Sequence, residues 1–182
     1  MWIDESLTRA INGLAGNSGL ADAIVLLITN YGIPALVLVA VINWWSPGDR
    51  PRIRHACAAS ALSLVLGLLI NFAVIAIVHR VRPYELGITH LMVARSVDWS
   101  FPSDHATAAF AIAGPFLLDF GAARRTLFLS LAVLVSLSRV YVGTHYVGDV
   151  TGGALTGLAA AMTVAALYSR DTKLDRILTS FL

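Results

Sequence analysis

An all-α, integral membrane helical bundle is the fold class this sequence predicts, with about five transmembrane helices and an N-terminal amphipathic helix on the membrane surface. Three observations predict it. Hydrophobic residues make up 57% of the 182 residues and charged residues only 13%, far from the soluble average. The apolar residues fall in runs long enough to cross a hydrocarbon core of about 30 Å at about 1.5 Å per residue. The breaks between those runs collect Arg, Gly and Pro. No repeat, low-complexity segment or linker divides the chain, so residues 1–182 read as a single membrane-embedded domain.

In residues 2–14, Trp2, Ile3, Leu7, Ile11 and Leu14 recur at spacings near three and four, which describes one apolar stripe on a short surface helix. Asp4, Glu5 and Arg9 interrupt this stretch, so it does not read as a secretory signal peptide, and the first span is expected to direct insertion. That span runs from Leu20 to Trp45; Gly32 and Pro34 should loosen it, and Trp44 and Trp45 mark its interfacial end. Ser46 to His55, with Pro47, Gly48, Pro51 and three Arg, reads as a short basic loop. Residues 56–78 form the second span, and Cys57 within it reads as a small packing residue. Tyr84 to Trp99 is too polar to cross and too apolar for a free linker, which suits a lid over a site. The third span runs from Pro102 to Phe120 with Ser103 as N-cap, the fourth from Thr126 to Val142, and the fifth from His145 to Tyr168. Gly148, Gly152, Gly153 and Gly157 give the fifth span a face that another helix can approach closely. A polar tail follows.

Five crossings place Arg50, Arg52, Arg54, Arg124, Arg125, Arg170, Lys173 and Arg176 on one side, against Arg9, Arg80, Arg82, Arg95 and Arg139 on the other. By the positive-inside rule the first group is cytoplasmic, with the N-terminus outside. The net charge of +2 is too small to suggest a nucleic-acid partner. Membrane lipids are the surroundings the composition calls for.

Three motifs lie at span ends on the outward side: His79-Arg80-Val81-Arg82-Pro83, Phe101-Pro102-Ser103-Asp104-His105, and Ser138-Arg139 with His145 and Asp149. Together they offer the side chains needed to hold a phosphate and transfer it to an imidazole. On one helix His145 and Asp149 would share a face, so that the carboxylate orients the ring and leaves the other nitrogen free to attack phosphorus. His105 could supply a proton to the leaving oxygen. Arg82 and Arg139 offer planar forks for phosphate oxygens, and the start of the third span offers free N–H groups. This donor set calls for no metal and no cofactor.

These residues resemble the type-2 phosphatidic acid phosphatases, whose signature is Lys-x6-Arg-Pro, Pro-Ser-x-His and Ser-Arg-x5-His-x3-Asp. The second and third parts are matched in full by Pro102 to His105 and by Ser138 to Asp149, and Arg82-Pro83 matches the end of the first. The resemblance implies that His145 is the nucleophile, Asp149 its orienter, His105 the general acid, and Arg82, Ser103 and Arg139 the phosphate holders. Ile75 stands where the first part has Lys, so one phosphate contact is absent or is supplied by His79 or Arg80. Phe-Pro-Ser-Asp-His on a five-span body looks most like the bacitracin-resistance branch, whose members dephosphorylate undecaprenyl pyrophosphate.

Plainer roles compete for several of these residues. His55 and His90 read as helix-end or interfacial residues. Arg82 and Arg139 would serve equally as snorkelling anchors were they not embedded in motifs, and Ser103 and Asp104 as caps. His79 and Arg80 divide evenly between interface anchor and substrate contact. Two function classes remain: a lipid phosphatase, acting on an isoprenyl pyrophosphate or on another lipid phosphate such as phosphatidate or phosphatidylglycerol phosphate, and a protein that binds or transports a lipid phosphate without turnover. Transfer to an acceptor other than water uses the same residues.

Overall fold

In the computed structural model, which describes residues 2–180, helix starts follow local capping chemistry. Ser18, Asp49 and Thr172 each accept a hydrogen bond from the backbone N–H three residues on, so an otherwise orphan donor is satisfied where each helix begins. The described residues form seven helices: α1 (Trp2–Asn12), α2 (Gly19–Asn43), α3 (Arg50–Ile75), α4 (Asp104–Asp119), α5 (Ala122–Tyr141), α6 (Val147–Leu167) and α7 (Lys173–Thr179).

Helices α2 to α6 run alternately up and down, as contacts at their two ends show. At one end Arg124 of α5 meets Asn43 of α2, Arg52 of α3 pairs with Asp119 of α4, and His55 of α3 stacks on Tyr168 just past α6. At the other end Tyr141 of α5 donates to Asp22 of α2, and Asn71 of α3 donates to Asp104 of α4. The chain therefore crosses the bundle five times.

Among the described residues, only α2, α3 and α6 are long and apolar enough to span a membrane by length and composition. The physical reason lies in where the others sit. Helix α4 has 16 residues, about 24 Å of rise, and residues 106–116 are buried by neighbouring helices rather than exposed to lipid. Its composition answers to packing instead. Helix α5 carries Arg124 and Arg125 at its start and Arg139 in its last turn, which dilute its hydropathy.

Small residues bring α4 and α6 together. A Cβ on Gly157 would lie 2.4 Å from the Thr107 carbonyl oxygen, and one on Gly153 would lie 2.5 Å from that of Ser103. Gly32 likewise lies under Val135, so it brings α2 against α5. Where a polar tail was expected, α7 folds back on the bundle. Asp175 anchors it, accepting from Tyr168 Oη and lying 2.8 Å from His55 Nδ1.

Helix α1 has the expected apolar stripe, with Trp2, Ile3 and Leu7 exposed, and Leu14 in the turn that follows is exposed too. Its opposite face is occupied too. Asp4, Thr8 and Asn12, four residues apart along one face, reach into the end of the bundle where the three motifs lie: Asp4 Oδ1 accepts from Gly148 N–H, Thr8 Oγ1 from Val147 N–H, and Asn12 bridges His90 and Tyr141.

Candidate active site

The segment between α3 and α4 crosses this same end of the bundle without regular structure and is tied down along its length. Tyr84 Oη donates to the Ser96 carbonyl, Thr89 Oγ1 donates to the Gly143 carbonyl, and Met92 N–H donates to the Val142 carbonyl. The segment includes Tyr84 to Trp99, the stretch expected to act as a lid, and on either side of that stretch it buries Arg82 and Ser100.

His145 is placed by the turn joining α5 to α6. Gly143 adopts φ +82, and a Cβ there would lie 2.3 Å from the His90 carbonyl oxygen, so both backbone and space favour glycine. His145 therefore stands two residues ahead of α6, not on one helical face with Asp149 as the spacing suggested. Its Nδ1 lies 2.8 Å from the Ser100 carbonyl oxygen and 3.6 Å from Asp149 Oδ2. A carbonyl only accepts, so Nδ1 carries the proton and donates to Ser100, while Nε2 keeps its lone pair. Arg82 Nη1 sits 3.3 Å from Nε2. Burial holds the His145 imidazole below its usual pKa, opposed by the hydrogen-bonding influence of Asp149 and helped by the charges of Arg82 and Arg139. The neutral, nucleophilic form is favoured.

Asp149, the third residue of α6, is fully buried and fully engaged. It accepts from Arg80 Nη1 (2.7 Å), from Tyr146 N–H (2.8 Å) and from Ser100 Oγ. Such satisfaction is what a buried carboxylate requires. Ser100 thus binds both members of the pair, its carbonyl holding His145 and its hydroxyl holding Asp149. Nothing in the sequence singles out Ser100, whose only distinction is that it precedes the Phe101-to-His105 motif.

Arg82 is 6% exposed and fixed from two sides: Nε and Nη2 donate to the Asp98 carbonyl and carboxylate, and Nη1 donates to the Thr144 carbonyl. Asp98 is a further residue that the sequence reading missed. Arg139, in the last turn of α5, is buried with Nε unpartnered among the described residues, and Ser103 Oγ, at the start of α4, is in the same condition. Ser103 occupies the N-cap position, yet its side chain makes no capping bond. Its backbone N–H donates to the Asp149 carbonyl, which ties the start of α4 to the start of α6. His105, half-buried in the first turn of α4, feels the charges of Arg139, His145 and Arg82.

The two residues considered as substitutes for the missing Lys are otherwise occupied. Arg80 directs Nη1 to Asp149 and Nη2 to Asp4, and lies 3.8 Å over the Tyr146 ring. His79 is exposed against Trp99, with ring centroids 4.9 Å apart. Two cavities, of about 440 and 400 Å³, lie toward the opposite end of the bundle and contain none of these residues. At the end of the bundle that holds the three motifs the fold therefore assembles a neutral imidazole with one unprotonated nitrogen, a second imidazole, two buried guanidiniums and a hydroxyl without a partner among the described residues. That set suits transfer of a phosphoryl group onto nitrogen.

Comparison with known proteins finds similarity over most of the chain. The family profile described as the PAP2 superfamily matches residues 24–173. Undecaprenyl-diphosphatase BcrC of Bacillus subtilis (strain 168) is 31% identical over 168 residues, covering 92% of this chain and 83% of that protein. Putative undecaprenyl-diphosphatase YbjG of Escherichia coli (strain K12) is 27% identical, with 90% and 81% covered. Among solved structures, LpxE of Aquifex aeolicus superposes with a TM-score of 0.71 at 21% identity, covering 88% of this chain and 93% of that one. A transmembrane PAP2 type phosphatidylglycerolphosphate phosphatase from Bacillus subtilis superposes with a TM-score of 0.68 at 25% identity, covering 93% and 88%.

Proposed function

The chain belongs to the PAP2 superfamily of membrane phosphatases, and on that premise we propose that it hydrolyses an isoprenyl pyrophosphate, undecaprenyl pyrophosphate being the lipid named for its relatives, to the monophosphate. One observation carries the chemistry: His145 Nε2 is unprotonated and accepts from Arg82 Nη1 at 3.3 Å, while Nδ1 donates to the Ser100 carbonyl, so the lone pair that would attack phosphorus lies beside the guanidinium that would hold the phosphate. In this reading Nε2 attacks the terminal phosphorus and the bond from phosphorus to the bridging oxygen breaks. His105 donates a proton to that oxygen, and the lipid monophosphate leaves. His105, now neutral, takes a proton from water, whose oxygen attacks the phosphohistidine. Inorganic phosphate departs and His145 is restored. Arg82, Arg139 and Ser103 hold the equatorial oxygens throughout, and Asp149 stabilises the positive charge that develops on His145. We place this end of the bundle on the outer side of the plasma membrane, because the basic residues gather at the opposite end.

The test is phosphate release by the purified protein from isoprenyl pyrophosphate, isoprenyl monophosphate, phosphatidate and phosphatidylglycerol phosphate, with excess EDTA present. The pyrophosphate is expected to be the preferred substrate and EDTA to leave the rate unchanged. Brief exposure to labelled substrate should trap phosphate on the parent protein and not on His145→Ala. A strong preference for a diacylglycerol head group would move the substrate to that class. Near-normal turnover by His145→Ala would remove the mechanism.

A further inference from the structure

Helix α1 reaches the reacting groups through a chain of charges. Arg80 stands between two carboxylates, Asp4 on α1 and Asp149 on α6, with one Nη directed to each and its guanidinium over the Tyr146 ring. Asp4 completes a ring of contacts by accepting from Gly148 N–H, next to Asp149 in the first turn of α6. Thr8, one turn on and fully buried, accepts from Val147 N–H. Two of the free N–H groups at the start of α6 are therefore capped by side chains of α1 rather than by a local residue. The polar face of α1 is bound to the site, and its apolar face, with Trp2, Ile3 and Leu7 exposed, is left to the lipid.

We propose that Arg80 and Asp4 are positioning residues for the His145–Asp149 pair, so that docking of the N-terminal helix sets both the place and the effective charge of Asp149. This rests on the reading of His145 as nucleophile. The charges act in sequence. Arg80 offsets part of the negative charge of Asp149 that would otherwise stabilise protonated His145, and Asp4 in turn offsets part of the charge of Arg80. Arg80, whose sequence position suggested a phosphate contact, touches Asp149 instead and acts through it.

The alternation of sign provides the test. Asp4→Asn keeps an oxygen for Gly148 N–H, so α1 remains docked, but it leaves the Arg80 charge acting undiminished on Asp149; the acid limb of kcat/KM should move to lower pH. Arg80→Gln should move it to higher pH. Both should lower kcat by about 10- to 100-fold, as expected when a reacting group loses its fixed geometry, with KM for isoprenyl pyrophosphate within about twofold of the parent. Arg80→Lys should restore the position of the limb but only part of kcat, since an ammonium cannot fork between two carboxylates. If Arg80→Gln does not fold, the Asp4→Asn shift decides alone. A rise in KM at unchanged kcat would make Arg80 a substrate contact and overturn the proposal, as would unshifted limbs with kcat within twofold of the parent. His145→Ala separates the two readings. If it still turns over, the nucleophile assignment fails; if it is inactive and unlabelled while the Asp4 and Arg80 variants behave as the parent, the positioning proposal alone fails.

Discussion

Ser103 shows how one residue can be poorly placed for stability and well placed for binding an anion. Its hydroxyl is buried and unpartnered, a condition that costs a folded protein about 1–3 kcal/mol. Capping α4 would have satisfied it, yet the side chain makes no capping bond. Arg139 Nε is in the same state nearby in the fold. Ser103→Ala removes the unsatisfied group, so thermal unfolding in detergent should show a stability equal to the parent's or higher by about 1 kcal/mol. Phosphate release should show kcat/KM lower by about tenfold, the loss of one hydrogen bond to a charged oxygen. A substitution that destabilises the protein and leaves kcat/KM intact would return Ser103 to a purely structural role.

The elements are arranged so that helix packing and the candidate site share atoms. Helix α6 approaches α4 where Gly153 faces the Ser103 carbonyl and the Thr107 N–H, and Thr107 Oγ1 closes the contact by donating to the Gly153 carbonyl. A methyl group at Gly153 would meet backbone atoms at 2.5 and 3.1 Å, and backbone cannot rotate away as a side chain can. Gly153→Ala should therefore separate the starts of the two helices, at about 1–3 kcal/mol of stability. Because Ser103 moves with α4 and Asp149 with α6, activity should fall further than the loss of folded protein accounts for. Activity per folded molecule, measured beside thermal unfolding, checks this; an unchanged specific activity would show that the site tolerates the displacement. The α7 anchor is built differently, from Asp175 held by Tyr168 and His55. Those hydrogen bonds keep the Asp175 carboxyl below its usual range against the opposing effect of burial, so α7 is attached as an anionic latch at neutral pH.

For the whole molecule, the distribution of charge and the direction of the helices agree. The first turns of α3 and α5, carrying Arg50, Arg52, Arg124 and Arg125, and Arg170 just past α6 lie at one end, and the motif residues meet at the other. With Cys57 replaced by Ala, cysteines introduced at Ser46 and Ser169 should resist an impermeant thiol reagent in intact cells, whereas one at the exposed Val97 should be labelled. The reverse pattern would invert the topology and place the site in the cytoplasm.

The class of fold, the five crossings and the motif residues could be read directly from the chain. Apolar run length is fixed by bilayer thickness, and the motifs lie within short stretches of sequence. Helix α7 was not legible, because its seven residues are held by Asp175 against α3 and not by a periodic pattern of their own. The partners of the motifs were hidden for the same reason. Ser100, Asp98 and Asp4 are ordinary polar residues until folding brings them beside His145, Arg82 and Arg80 across separations of 45, 16 and 76 residues. Spacing placed His145 and Asp149 on one helical face, whereas the turn at Gly143 leaves His145 ahead of the helix and gives its Nδ1 proton to Ser100. Sequence by itself determined which groups are available for the proposed chemistry, since reactivity belongs to the side chain. Tertiary structure alone decided which nitrogen of His145 carries the proton and which charges surround it, because hydrogen-bond geometry and burial arise only once distant segments pack.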